Sequence, residues 1–465
     1  MIPVFGNPIL PADEYIPDPE AHVFGDRVYI YGSHDEFNGN MYCENDYVTW
    51  SAPVTDLTDW RYEGVIYRKD QHASPLNKGK PYMYAPDVAR GPDGRYYLYY
   101  SMADSGVLSV AVSDNPTGPF DYYGDVKDKN GKVYGDSPDD YFEFDPAVLV
   151  DDNRIYLYSG SGQKANEKNG HPVVGLFVRE LGADMITAKT DPNIIMPADD
   201  DRFSPNFFEA ASVRRFDENY VLVYMSTDLT GLHYAVSSYP DKGFVHQGLL
   251  HSTSPNLLNN GLSSDDAHLI ENNHGSLEKI NGSYFIFNHR HTNQNHFSRQ
   301  VVADKVERRS DGSFCETEFT SNGLRQAPFD ETGFYPAGMA CNLVNYKVPD
   351  NGPYVTQETV MGMPTSIVKN LTDGALITLK YFQFNEDKAM KLIVRGNATG
   401  ELMVSQSTKD GQPIQTIVPL DVYSEEWIDL DCLLAGLNDP YGVTIEFAGE
   451  GAIDCQSLMI CASFH

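Results

Sequence analysis

The stretch that decides the fold is DPEAHVFGDRVYIYGS, Asp18 to Ser33: an acid, a short apolar strand, a turn at Gly25-Asp26 and an aromatic return strand. The same plan recurs as DVARGPDGRYYLYYS from Asp87, DPAVLVDDNRIYLYSG from Asp145, EAASVRRFDENYVLVYMS from Glu209 and HGSLEKINGSYFIFNHR from His274. The starts lie 69, 58, 64 and 65 residues apart. So regular a spacing in a chain of short alternating strands predicts radial repetition with one sheet per copy. Five copies predict a five-bladed β-propeller over residues 1–325.

Residues at one place in each repeat meet around the axis if these strands are the innermost ones. Asp18, Asp87, Asp145, Glu209 and His274 then converge. An acid before a strand can simply shape a turn, but five ionisable groups in register point to a site, because crowded carboxyls push one another's pKa values apart. Two carboxyls flanking a cleft can hydrolyse a glycosidic bond. One protonates the leaving oxygen and the other activates water, at a separation of about 6.5–9.5 Å for inversion. Glu209 follows Phe207 and Phe208, whose rings are expected to desolvate it and raise its pKa into the range of a general acid. Asp18 and Asp145 each precede proline, which predicts an extended conformation at both. Either can then serve as the base.

Residues 326–465 read differently. After a turn-rich segment, ALITLKYFQF, MKLIVRG, ELMVSQS, YGVTIEFAG and SLMICASF alternate at period two between NATG, KDGQ and NDP turns. They predict a second all-β unit, a jelly-roll β-sandwich. It lacks the aligned ionisable residues of the repeats. A structural buttress is the first reading and a sugar-binding module the second.

Composition narrows the partners. The 465 residues carry 66 acidic and 34 basic side chains, a formal net charge of −32. Such a field repels nucleic acid and anionic lipid. Six scattered cysteines offer neither a disulfide scaffold nor a C-x-x-C metal site. His289, His291 and His296 lack the H-E-x-x-H spacing of zinc hydrolases. With no basic, apolar export signal in the opening residues, a cytoplasmic location is expected.

The segments IPDPEAH, YAPDV, FDPAVLVDDNRIYLYSG, FFEAASVRR and NNHGSLEKINGSYFIFNHR resemble, in order and spacing, glycoside hydrolase family 43. The C-terminal part resembles carbohydrate-binding modules. The family resemblance implies a five-bladed propeller and hydrolysis with inversion. It also implies Asp18 as general base, Asp145 as the residue that tunes the acid and orients substrate, and Glu209 as general acid. His274 matches a histidine that faces a calcium ion or water cluster on the axis, so Ca2+ is an expected cofactor. Arg290 resembles a sugar-contacting arginine. Tyr84, Asp87 and Phe208 complete the expected substrate-binding set, with Tyr84 standing where many members carry tryptophan. The activity so implied is an exo-acting β-xylosidase with α-L-arabinofuranosidase activity on pentose oligosaccharides. An arabinan-cleaving hydrolase and a non-catalytic sugar-binding propeller are the alternatives.

Overall fold

The computed structural model describes residues 4–161, 163–171, 174–197, 206–253, 272–348, 351–409 and 411–462. Five antiparallel sheets follow one another along the chain, and their innermost strands are Glu20–Phe24, Asp87–Arg90, Glu143–Asp151, Phe207–Phe216 and Leu277–Ile280. Each inner strand pairs with the aromatic strand that follows it, as the repeat predicts. In four copies the turn between them has two residues, and its first residue has positive φ: Gly25 (67°), Asp152 (52°), Asp217 (56°) and Asn281 (47°). Such turns match the twist of the flanking strands, and Gly, Asn and Asp tolerate them best.

A separate apolar cluster fills each gap between neighbouring blades. Tyr31 and Leu98 join the first and second blades, Tyr99 and Leu157 the second and third, and Tyr158 and Leu222 the third and fourth. Val223 and Ile286 join the fourth and fifth, and Ile30 and Phe287 close the fifth onto the first. The ring is therefore complete. The tyrosine richness has a physical reason in the first three blades. The hydroxyls of Tyr31, Tyr99 and Tyr158 donate to the backbone carbonyls of Pro116, Met185 and Pro240 at 2.8, 2.6 and 2.7 Å. Each buried ring thus packs in an interblade core and satisfies its polar tip on the next blade. The opening residues supply the last clasp. Ile9 N donates to Val301 O, and the Asn7 side chain both donates to Ala303 O at 3.0 Å and accepts from Ala303 N at 2.9 Å.

The last propeller strand ends at Val306, and the next strand, Gly333–Pro336, belongs to another sheet. That eight-stranded sheet curls around one core running from Phe329 to Ile460. Its strands Lys388–Thr408, Ile414–Leu434 and Tyr441–Cys461 are 21 residues each. The first and third approach closely where Gly400 (φ 144°) faces Gly449 (φ 156°), since a Cβ on either would collide with the opposite backbone. Ser321 N donates to Lys380 O at 2.8 Å and the Tyr15 hydroxyl to Gln357 at 3.0 Å, joining this unit to the propeller. No helix among the described residues is long and apolar enough to cross a membrane.

Candidate active site

A single pocket of about 170 Å³ at the propeller axis is lined by Asp18, Tyr84, Asp145, Glu209 and His274, together with Arg299 and Tyr42. Sequence register brings four of these together, Asp18, Asp145, Glu209 and His274, and Tyr84 joins them from the second blade. The strand entries differ from expectation. Asp18 and Asp145 have φ of 57° and 48°, left-handed rather than extended. Beside Asp145 the ladder shifts register between Phe144 and Ala147, and beside Glu209 it shifts on both sides. These bulges leave Asp145 outside the paired register and re-aim the strand on both sides of Glu209, and both acids line the pocket. Asp is among the few residues that tolerate the left-handed region, and backbone strain of this kind gathers at functional sites.

Arg299 organises the charges. Its Nη1 lies 3.1 Å from Asp18 Oδ1, while Nε and Nη2 hold Asp35 at 2.9 and 3.0 Å. The Tyr42 ring packs 4.9 Å from the guanidinium carbon. Asp18 N also donates to His289 Nδ1 at 3.2 Å. Burial pulls the His289 imidazole well below its usual pKa, with Arg299 adding to the effect, so the ring is neutral and its Nδ1 can accept. Asp145 is pushed well above the usual carboxyl range, first by burial and then by the negative charges of Glu209 and Asp18. Burial also raises the Tyr84 phenol.

Three expected substrate contacts lie elsewhere. Asp87 is fully buried deeper on the axis, where Oδ1 is 2.6 Å from His22 Nε2 and Oδ2 accepts from Val148 N at 2.7 Å. Its inner strand begins at the acid itself, whereas Asp18 and Asp145 sit on the outward side of a bend. Arg290 turns its guanidinium to Ala340 O at 3.3 Å and Gln300 at 3.1 Å, because its strand neighbour His289 takes the pocket-facing side. It therefore serves the junction with the C-terminal unit. Phe208 is half-buried and outside the pocket lining, and Phe207 is buried in the core between the third and fourth blades. Asp145 is the charged neighbour of Glu209 in the pocket.

Arg299, Tyr42, Asp35 and His289 were not singled out as site residues in the sequence. Arg299 and His289 lie in the fifth repeat, but on its later strands, and Asp35 and Tyr42 lie in the long connection after the first aromatic strand.

Below the pocket, His274 links the site to the axis: Nδ1 is 3.8 Å from Asp145 Oδ2 and Nε2 is 3.8 Å from Glu20 Oε1. Both Nε2 and Oε1 are buried without a hydrogen-bond partner. Glu20, His22 and Asp87 bring one ligand atom each within 4.8 Å of one another. The donor set does not suit calcium, which takes six to eight oxygens. Three of the four carboxylate oxygens of Glu20 and Asp87 are already engaged by protein donors. One free oxygen and an imidazole remain.

The sequence and the fold match known proteins. The profile of glycosyl hydrolases family 43 matches residues 5–314, and the chain belongs to this family. It is a glycoside hydrolase. It is 39% identical over 474 residues to a xylosidase/arabinosidase of Thermoclostridium stercorarium, covering 98% of each chain. A family 43 arabinoxylan arabinofuranohydrolase from Bacillus subtilis, solved with cellotetraose, shares the fold at a TM-score of 0.52 and 20% identity, covering 99% of this chain and 98% of that one. A β-xylosidase/α-arabinofuranosidase from a compost metagenome, solved with xylotriose, superposes at 0.53 with 23% identity over 68% of this chain and 98% of that one.

Proposed function

We propose that the enzyme removes single xylose or L-arabinose units from the ends of xylo- and arabinoxylo-oligosaccharides, with inversion. The convergence of Asp18, Asp145 and Glu209 in one small pocket carries this reading. Its volume of about 170 Å³ is below the roughly 300 Å³ at which drug-sized pockets begin, a size suited to one sugar ring. The 39% identity to a xylosidase/arabinosidase along nearly the whole chain supports the choice of pentoses. Six free cysteines, four of them buried, suit a reducing compartment.

Asp18 acts as general base. Arg299 and His289 fix its orientation toward the pocket. Glu209 acts as general acid. With Asp145 it forms a crowded carboxyl pair, which retains a proton more readily than either group alone. That proton passes to the leaving oxygen as the glycosidic bond breaks, while Asp18 takes one from the attacking water. Asp145 holds the pair's charge balance and orients the sugar.

Turnover of nitrophenyl xyloside and nitrophenyl arabinofuranoside tests the assignment. Asp18→Asn should abolish both. Glu209→Gln should lose far more activity on xylobiose than on a dinitrophenyl xyloside, whose leaving group needs no acid. Proton NMR of the first product should show the inverted anomer. Equal losses on both substrates for Glu209→Gln would remove Glu209 from the acid role.

A further inference from the structure

Arg214 lies on the inner strand of the fourth blade, five residues beyond Glu209, and its side chain is buried at the axis. Its Nη2 donates to Glu20 Oε2 and to Ala21 O, each at 2.8 Å, and lies 3.3 Å from His22 Nε2. Its Nε donates to Glu278 at 2.9 Å, and Nη1 reaches Val213 O at 3.1 Å and Ser212 Oγ at 3.4 Å. The guanidinium thus ties inner-strand groups of the first, fourth and fifth blades at the very place where Glu20, His22 and Asp87 converge. A planar fork of five N–H donors can do this, where a metal ion would need vacant oxygens.

We propose that Arg214 is the fixed cation of the propeller hub: it holds Glu20, and through Glu20 positions His274 behind Asp145, so that the enzyme turns over without a divalent metal. Three observations carry this. A unit positive charge already sits among the buried carboxylates. The oxygens that a calcium ion would need are taken by Arg214, Ser212, His22 and the Val148 N–H. Glu20 Oε1 keeps one unengaged lobe 3.8 Å from His274 Nε2, so the two groups face each other directly across the hub. Arg214 does not line the pocket, so it is a positioning residue, and the inference rests on the catalytic reading of Asp145 only for its kinetic arm.

The test starts with the unaltered enzyme. After dialysis against a chelator, elemental analysis should find calcium well below one equivalent. Added calcium should leave both the thermal midpoint and the rate on nitrophenyl xyloside unchanged. Arg214→Ala should lower kcat about a hundredfold with KM nearly constant, as expected when a group next to the chemistry is misplaced. Millimolar guanidinium should restore part of the loss, and Arg214→Lys should retain more than Arg214→Ala. In the alanine variant the freed carboxylates should now bind calcium, read as a rise in thermal midpoint with calcium concentration. Should Arg214→Ala fail to fold, the lysine variant and the metal measurements on the unaltered enzyme still decide. One equivalent of calcium that survives dialysis, or a rate that chelator removes and calcium restores, would overturn the proposal. So would an Arg214→Ala enzyme with unchanged kcat. The metal content and thermal shift are independent of whether Asp18 and Glu209 hold the roles given above.

Discussion

Arg299 and Asp18 are joined at 3.1 Å by a guanidinium whose remaining donors are locked on Asp35 at 2.9 and 3.0 Å. Asp35 is fully buried, so the arginine is anchored from behind and presents one N–H to the pocket carboxylate in a fixed direction. A flexible ammonium cannot reproduce this fork. Arg299→Lys is therefore expected to lower kcat/KM on nitrophenyl xyloside about a hundredfold, with the loss mainly in kcat. Steady-state kinetics with circular dichroism as a folding control checks it. A lysine enzyme within a few-fold of the original would show that charge alone suffices.

Asp145 gives a prediction with a definite sign. Its folded pKa is raised well above the ordinary 3.8 by burial and by the neighbouring Glu209 and Asp18. The carboxyl therefore costs no stability below about pH 4, where both folded and unfolded chains hold the proton. The cost grows as pH rises through the region where only the unfolded chain ionises freely. Asp145→Asn removes it. The variant should match the original in thermal midpoint near pH 4 and exceed it by a few degrees at pH 7 and above. Activity should move the other way. With the carboxyl beside Glu209 gone, kcat should fall while the fold is retained. Thermal scans across pH and a pH-rate profile read the two effects separately.

Asn7 tests how the ring is closed. Its side chain donates to Ala303 O at 3.0 Å and Thr320 O at 2.8 Å and accepts from Ala303 N at 2.9 Å, all far from the pocket. Asn7→Ala strands these buried backbone groups, at a cost of about 2–3 kcal/mol in unfolding free energy. Urea unfolding should show that loss while kcat per folded molecule stays unchanged. A fall in kcat without a loss of stability would contradict the separation of clasp and site.

The propeller was legible because its information is local and repeated. Every blade announces itself by an aromatic strand and four of the five by a two-residue turn, and register then places Asp18, Asp145, Glu209 and His274 on one axis without any knowledge of long-range contacts. The same logic over-reached at Asp87. Equal sequence register does not fix depth when a left-handed backbone turns Asp18 and Asp145 outward and leaves Asp87 on the ladder. Arg290 shows a different limit: adjacent strand residues face opposite ways, and choosing between an arginine at 290 and one at 299 requires knowing which face of the fifth blade meets the pocket. Asp35 and Tyr42 come from a loop with no periodic signal, so nothing local marked them.

His289 lies beneath Asp18, and in the sequence nothing separates it from the neighbouring His291 and His296. Its Nδ1 accepts the Asp18 N–H at 3.2 Å, so it fixes the backbone of a residue held at φ 57°. Burial, with Arg299, His291 and His274 adding in that order, keeps the ring uncharged through the working range. The role is therefore that of an acceptor, and charge plays no part in it. His289→Leu removes the acceptor and leaves a buried N–H unpaired, costing about 1–3 kcal/mol in stability. With Asp18 no longer held, kcat should fall roughly tenfold or more. His289→Asn, whose side-chain oxygen can take the place of Nδ1, should recover much of both. Because the ring does not titrate, neither variant should shift the acidic limb of the pH-rate profile. A clear shift of that limb in His289→Asn would mean that the imidazole carries a proton in the resting enzyme, and that Asp18 is held by an ion pair in addition to its backbone bond.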